Sequence, residues 1–247
     1  MRLYGLKQLA IATGLYEPIR SLRNSFNKES AANTEKGLRF YGQFIKSGDL
    51  VFDIGANVGG KTELFCKLGA QVVAIEPQPK MFKILEARTR KYGPRVTALR
   101  IGVGAEPDVA ALHFGDHDGM ASLSNDWSKN DNGSIQIELR TLDQLIESYG
   151  RPDFIKIDIE GHELEALKGL SHLVRGMSFE YHHDPVRLRL ASECVAHVSQ
   201  KQKMRMNLTG MEDYDLISSW MPADEFSTQL EILTKDHPFG DIIAVAE

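Results

Sequence analysis

Only two cysteines occur in 247 residues, at positions 66 and 194. Their separation fits no zinc or thioredoxin spacing and offers no disulfide framework, so a reducing compartment is expected. No apolar run approaches the roughly 18 residues that a transmembrane helix needs. The opening stretch "MRLYGLKQLAIATG" is interrupted by Lys7 and Gln8 and makes a poor signal peptide, so a cytoplasmic protein without stable membrane insertion is expected. An excess of positive charge is also missing. A net charge of −5 and a pI near 5.9 argue against nucleic acid as a partner. No internal repeat, low-complexity tract or linker divides the chain. What remains, 42% hydrophobic and 26% charged, is ordinary for a globular protein of one decorated α/β domain.

Residues 1–46 carry apolar side chains at helical spacing (Leu3, Leu6, Leu9, then Ile19, Leu22, Phe26) with basic residues between them. Gly14, Glu17 and Pro18 break any long stripe, so this segment reads as a helical extension packed on the domain rather than a membrane-binding helix. From residue 49 strands and helices alternate: "DLVFDIG", "KTELFCKLGA", "QVVAIEP", "KMFKILEARTRKYG", then "RVTALRIGVG" as a third strand. That alternation demands parallel pairing and predicts a doubly wound, mostly parallel sheet over residues 47–247. Two strands, "VAALHF" and "IQIELR", flank a polar excursion of residues 115–134 and predict a hairpin-like insertion. Thr141 and Gln144 form a capping box for the helix "LDQLIESYG". "DFIKIDIEG" and "GMSFEYHH" read as buried strands, a long helical region follows Pro185, and "DIIAVAE" reads as the last strand. "NLT" at Asn207 fits a glycosylation acceptor pattern, which has no meaning in a cytoplasmic chain.

The loop "VFDIGANVGGKT" supports two incompatible chemistries. Residues 55–62, "GANVGGKT", spell the phosphate-binding loop of a nucleotide hydrolase, with "FIKIDIE" as its metal-holding strand. Against this, Asp53 ends the strand where the phosphates would lie, and a carboxylate there repels them by several kcal/mol. The same carboxylate suits S-adenosylmethionine, which carries a sulfonium and an ammonium. Glu76, 21 residues after Gly55 at the end of the second strand, stands where open parallel sheets place an acceptor for two ribose hydroxyls. Nicotinamide dinucleotides are disfavoured by the absent third glycine of G-x-G-x-x-G.

"DLVFDIGANVGG", "AIEPQP", "LRTLDQLI" and "FIKIDIEGHELEALKG", in that order, resemble the FkbM family of S-adenosylmethionine-dependent methyltransferases over roughly residues 45–185. The resemblance implies a Rossmann-like class I methyltransferase fold with S-adenosylmethionine as cofactor. It also implies methylation of a hydroxyl on a small-molecule acceptor such as a sugar or secondary metabolite. A phosphate-loop NTPase and a non-catalytic cofactor-binding module stay as alternatives.

Joined to the physical reading, the resemblance places Asp53, Gly55, Asn57 and Gly59 around the methionyl end of the cofactor. Glu76 and Pro77 fall at the ribose, and Ile101, Gly102 and Val103 near adenine. Lys61 is left as a helix residue without a necessary role. Asp158, Glu160 and His162 follow the fourth strand at the same sheet edge and are the candidates to orient the acceptor and take its proton, with His162 the natural base near neutral pH. Glu163 serves the helix dipole instead. Asp158 and Glu160 alone do not make a metal site, and no metal is assigned. His182, near Glu180 and His183 at the end of the fifth strand, and Ser122, in the insertion with His117 and Trp127, are the candidate substrate contacts.

Overall fold

The computed structural model describes residues 32–114, 121–122, 133–210 and 214–247. A helix through residues 32–41 (α1) leads into an eight-stranded sheet. Along the chain the elements are β1 (Leu50–Ile54), α2 (Gly60–Lys67), β2 (Gln71–Ile75), α3 (Pro79–Thr89), β3 (Val96–Leu99), β4 (Gly102–Val103), β5 (Asp108–Phe114), β6 (Ala121–Ser122) and β7 (Ser134–Arg140). They continue with α4 (Leu142–Tyr149), β8 (Phe154–Ile157), α5 (Glu163–Lys168), β9 (Gly176–His182), α6 (Pro185–Lys201), β10 (Met204–Gly210), β11 (Met221–Pro222), α7 (Ala223–Thr234) and β12 (Phe239–Ala246).

The main sheet runs β11-β10-β12-β9-β8-β1-β2-β3. β3, β2, β1, β8 and β9 are parallel, whereas β12 enters antiparallel between β9 and β10. The chain leaves β1 toward β2 and β3, then returns to the other side at β8. That reversal opens a crevice at the carboxyl ends of β1 and β8, the place where such sheets bind ligands. The α/β fold with its mostly parallel sheet is therefore as the sequence predicts.

Local signals account for the helices that frame this crevice. α2 follows Gly59, whose φ of 79° lies in the left-handed region, and carries Glu63 in its first turn and Lys67 in its last, as the helix dipole favours. Pro79 opens α3, where a missing N–H costs nothing. At α4 the capping box is complete: Gln144 N–H donates to Thr141 Oγ1 and Thr141 N–H to Gln144 Oε1, both at 3.1 Å. Asp184 Oδ1 caps α6 by accepting from the N–H groups of Val186 and Arg187.

Two apolar layers cover the sheet. One gathers Phe52, Ile54, Ile155, Ile157, Phe179 and their neighbours under α4, α5 and α6. The other holds Phe40, Tyr41 and Ile45 against Phe65, Val72 and Phe154, so α1 contributes to the core itself. Fully burying each such side chain stabilises the fold by about 1.5–3 kcal/mol. Tyr41 packs edge-on against Phe65 at 5.0 Å and Phe44 stacks on Phe154 at 6.0 Å. No helix among the described residues is long and apolar enough to cross a membrane.

The structure corrects two details. "RVTALRIGVG" is not one strand: β3 ends at Leu99, and β4 departs to pair with β7 in a second, four-stranded sheet, β4-β7-β5-β6. A Cβ at Gly102 would meet Leu139 Cδ2 at 2.5 Å, so glycine is what permits that approach. This sheet contains the hairpin of the insertion, β5 against β7. The region after Pro185 is also not one helical stretch. It contains β10, whose Asn207 and Thr209 are buried polar residues in a strand. Asn207 Nδ2 donates to Ser218 O at 2.7 Å and its Oδ1 accepts from Leu208 N–H, so the side chain of the "NLT" pattern is a strap inside the fold.

Replacing Thr141 by alanine removes one half of the capping box and should cost about 1 kcal/mol. At this chain length that is a fall in melting temperature of roughly 2–4 °C, measurable by calorimetry. An unchanged melting temperature would show that the box does not hold α4.

Candidate functional site

A cavity of about 320 Å³ opens at the carboxyl ends of β1, β2, β8 and β9. Its first wall is the turn after β1. Gly55 has φ 79°, and a Cβ there would lie 1.8 Å from the carbonyl oxygen of Asp158, so only glycine lets β1 and β8 close together at this end. The N–H groups of Gly55 and Ala56 both donate to Ile75 O, at 2.9 and 2.8 Å. The next one, of Asn57, donates to Glu76 Oε2 at 2.8 Å, and Gln78 N–H donates to Glu76 Oε1 at 2.8 Å. Glu76 thus ties the turn to the start of α3, and each of its oxygens keeps a second acceptor position at the cavity.

This geometry decides against the phosphate loop. The amides that would converge on a phosphate are taken by Ile75 O and by a carboxylate. Thr62 is fully buried and donates to Asp53 Oδ2 at 2.5 Å rather than facing a metal. Asp53 itself lies behind the cavity wall, 1% exposed, with Oδ1 buried and without a hydrogen-bond partner. Burial raises its pKa, against the pull of Lys156 and the Thr62 hydroxyl.

β8 carries a lysine into the middle of the fold. Lys156 is 2% exposed and its ammonium donates to Asp158 Oδ2 at 2.7 Å. Desolvation would lower its pKa, but Asp158, Asp241 and Asp53 around it raise it above the ordinary lysine value. Asp158 shows the converse balance: burial pushes its carboxyl up, and Lys156 pulls it below the usual range.

Glu160 comes next, on the cavity wall, with φ 55°. Burial, then the nearby Glu180, Asp158 and Glu163, push its pKa up to about 7. Three non-glycine residues have positive φ among those described, Asn57, Glu160 and Tyr214, and all three line this one cavity. Backbone held in that region gathers at functional sites.

The remaining candidates divide. Gly55, Asn57, Glu76, Pro77, Gly102, Val103, Asp158 and Glu160 line the cavity. Asp53, Gly59, Ile101 and His162 do not. Gly59 packs against Leu85, and Ile101 is 7% exposed in the core. His162 sits at the N-cap of α5 with Nδ1 buried and unpartnered, and burial lowers its pKa. His182 lies behind the wall with Nε2 3.3 Å from Glu180 Oε2, and Glu180 raises its pKa. Ser122 pairs through its backbone with His113, whereas His117 and Trp127 lie outside the described residues.

Distant parts of the chain supply wall residues that sequence reasoning missed, among them Tyr41, Tyr214 and Asp241, and Lys61, left without a role, lines the wall as well. Lys61 Nζ donates to Tyr214 Oη at 2.6 Å and lies 4.4 Å from that ring's centroid and 5.5 Å from that of Tyr41. Lys156 had a signal, a charge in the middle of an apolar strand. Tyr41 and Tyr214 had none.

Around the cavity Glu76, Asp158, Glu160, Glu180 and Asp241 face Lys61 and Lys156. An excess of carboxylates, with the orphaned Asp53 oxygen behind them, fits a cationic ligand and opposes a polyphosphate. The methyltransferase FkbM domain, as a family model, matches residues 53–216. Hexuronic acid methyltransferase AglP of Haloferax volcanii is 31% identical over 140 residues, 53% of this chain and 54% of that protein. The match thus spans about half the length of that curated relative. Among solved structures, an rRNA methylase from Streptococcus thermophilus aligns with a TM-score of 0.49 at 11% identity, over 85% of this chain and 93% of that one. Fibrillarin from Aeropyrum pernix, with natively bound S-adenosyl-L-methionine, aligns with a TM-score of 0.48 at 9% identity, over 82% of this chain and 68% of that one. Neither structural likeness places a residue or a substrate.

Glu163, 6% exposed, accepts from the N–H groups of Ile159 and Gly161, and burial pushes its pKa up to about 7. Between the ordinary value of 4.5 and about 7 the unfolded chain has lost a proton that the folded chain keeps, so stability falls as pH rises through that window. The loss is up to about 3 kcal/mol for this one group. Glu163→Gln keeps the accepting oxygen and should make the fall across this window shallower. Urea midpoints measured from pH 4.5 to 8 test this, and a wild-type midpoint flat across that range would refute it.

Proposed function

The chain belongs to the FkbM family of S-adenosylmethionine-dependent methyltransferases, and we propose that it methylates a hydroxyl oxygen of a sugar or sugar-like small molecule. The observation that carries the reading is Glu160, a carboxylate on the cavity wall at the tip of β8 whose pKa lies near neutrality. The relative named for a hexuronic acid supports a sugar-like acceptor. The net charge of −5 and the acidic cavity support a small molecule over a nucleic acid.

S-adenosylmethionine, the cofactor of this family, supplies an electrophilic methyl group on a sulfonium. The chain's residues do the rest. Glu76 takes the ribose hydroxyls with the acceptor positions that Asn57 and Gln78 leave open. Gly55 and Asn57 form the wall beside the methionyl end. Gly102 and Val103, with Leu112 and Ile137 of the second sheet, offer an apolar slot for the adenine.

A hydroxyl is a poor nucleophile until its proton leaves, and a base contributes best when its pKa lies near the working pH. Glu160 meets that condition. His162, the base expected from sequence, is not among the residues lining the cavity, and burial is the main cause of its lowered pKa. Asp158 is held ionised by Lys156 and serves to orient ligands. Glu180, backed by His182, faces the same space and is the contact for the acceptor's other hydroxyls.

Glu160→Gln should lower kcat by about 10²–10⁴ while leaving affinity for S-adenosylhomocysteine unchanged. In the wild type only the ionised carboxylate accepts a proton, so kcat/KM should fall about tenfold per pH unit below pH 7 and level off above it. Both are measured on a panel of monosaccharides and uronic acids. A flat profile with an active Glu160→Gln variant would move methylation to an oxygen that needs no base, such as a carboxylate. Binding of the cofactor without turnover on any acceptor would favour a non-catalytic module.

A further inference from the structure

We propose that Lys61, held by Tyr214 and Tyr41, is the carboxylate subsite of the cavity and takes the α-carboxylate at the methionyl end of the cofactor. The inference rests on the S-adenosylmethionine reading and gives a place to a residue that the sequence left without a role.

Lys61 lies in the first turn of α2, immediately after the turn whose Gly55 and Asn57 line the same cavity. Its surroundings are unlike those of the other cavity lysine. Lys156 is 2% exposed and bound to Asp158. The partners of Lys61 are uncharged: the hydroxyl of Tyr214 at 2.6 Å and the faces of two tyrosine rings. Among the described residues it is the cavity cation whose hydrogen-bond partner is not a carboxylate. An ammonium carries three donors, and Tyr214 takes one. Two remain, the number that the two oxygens of a carboxylate can use.

The rings hold the charge in place. A cation over a tyrosine face is attracted to it, and two rings narrow the positions open to a flexible side chain. Tyr214 keeps a left-handed backbone, φ 54°, a conformation that persists where the surroundings over-determine it.

Charge pattern points the same way. The head of an α-amino acid presents an ammonium and a carboxylate on one carbon, so its site needs a cation and an anion facing the same space. Lys61 and Asp158 both line the cavity, and the charge of Lys61 is felt at Asp158. With the ammonium at Asp158, the carboxylate falls to Lys61. Glu76, Glu160, Glu180 and Asp241 on the same wall would repel a ligand carboxylate, and the other lysine there, Lys156, is already bound to Asp158. A charge-assisted hydrogen bond in a partly buried site is worth enough to show as a ten- to hundredfold change in affinity.

The test is a ligand–variant cycle read by titration calorimetry, without turnover. The ligands are S-adenosylhomocysteine and its decarboxylated analogue, which keeps the ammonium and lacks the carboxylate. Wild type should bind the first about ten- to a hundredfold tighter. In Lys61→Met, which keeps an apolar stem against the rings, that preference should shrink to within about threefold, and Lys61→Arg should restore it. A preference that survives Lys61→Met, or no preference in the wild type, overturns the subsite. Because the two ligands are compared within each variant, a general loss of stability cancels. Failure of the wild type to bind either ligand would instead bring down the cofactor reading itself.

Discussion

Everything at the carboxyl edge of the sheet depends on one buried ammonium. Lys156 brings a single positive charge between Asp53 of β1, Asp158 after β8 and Asp241 of β12. Removing any ion from water costs several kcal/mol, and three carboxylates brought together without a counter-charge would repel one another as well. With Lys156 between them, acidic residues of β1, β12 and the turn after β8 can gather at one edge of the sheet, and an electronegative cavity can exist inside a folded protein. The pair with Asp158 is therefore weak evidence of added stability and strong evidence of constraint. Its geometry fixes where Asp158 points, and so where the cavity keeps its negative charge.

The same edge shows why the loop of residues 55–62 is not a phosphate loop although its letters match. Letters specify neither the direction of an N–H group nor its partner. Here Ile75 and Glu76, both from β2, claim the amides of the turn, and Thr62 turns inward to Asp53. Asp53, by its charge, and Glu76, by its place at the end of β2, carried the inference toward S-adenosylmethionine that the family match supports. Lys61 carried a wrong one, because its partners Tyr41 and Tyr214 lie 20 and 153 residues away.

Elements whose pattern is local were legible. β1, β2 and β8 announce themselves as short apolar runs ended by glycine, proline or acid, and the Thr141–Gln144 box gives the start of α4 to the residue. β10 was hidden because Asn207 and Thr209 interrupt its apolar character; their polar atoms find partners at Leu208, Ser218 and Gly210 in the folded chain. The split between β3 and β4 was hidden because it depends on how closely Gly102 can approach Leu139. At the site, sequence spacing put Asp158, Glu160 and His162 after β8, and the structure places the first two on the cavity wall. It could not say that Glu160, with its left-handed backbone, would line the cavity and that His162 would not.

The antiparallel entry of β12 between β9 and β10 has a consequence for how the chain reaches its native state. β9 and β10 are neighbours along the chain, joined through α6, yet neither pairs with the other; each pairs with β12. During synthesis from the amino end, both strands exist before the one that separates them. Until residues 239–246 emerge, both strands present open edges toward the place that β12 fills. The five parallel strands can assemble early, whereas the other half of the sheet waits, exposed to pairing with other chains, for its last strand to be translated.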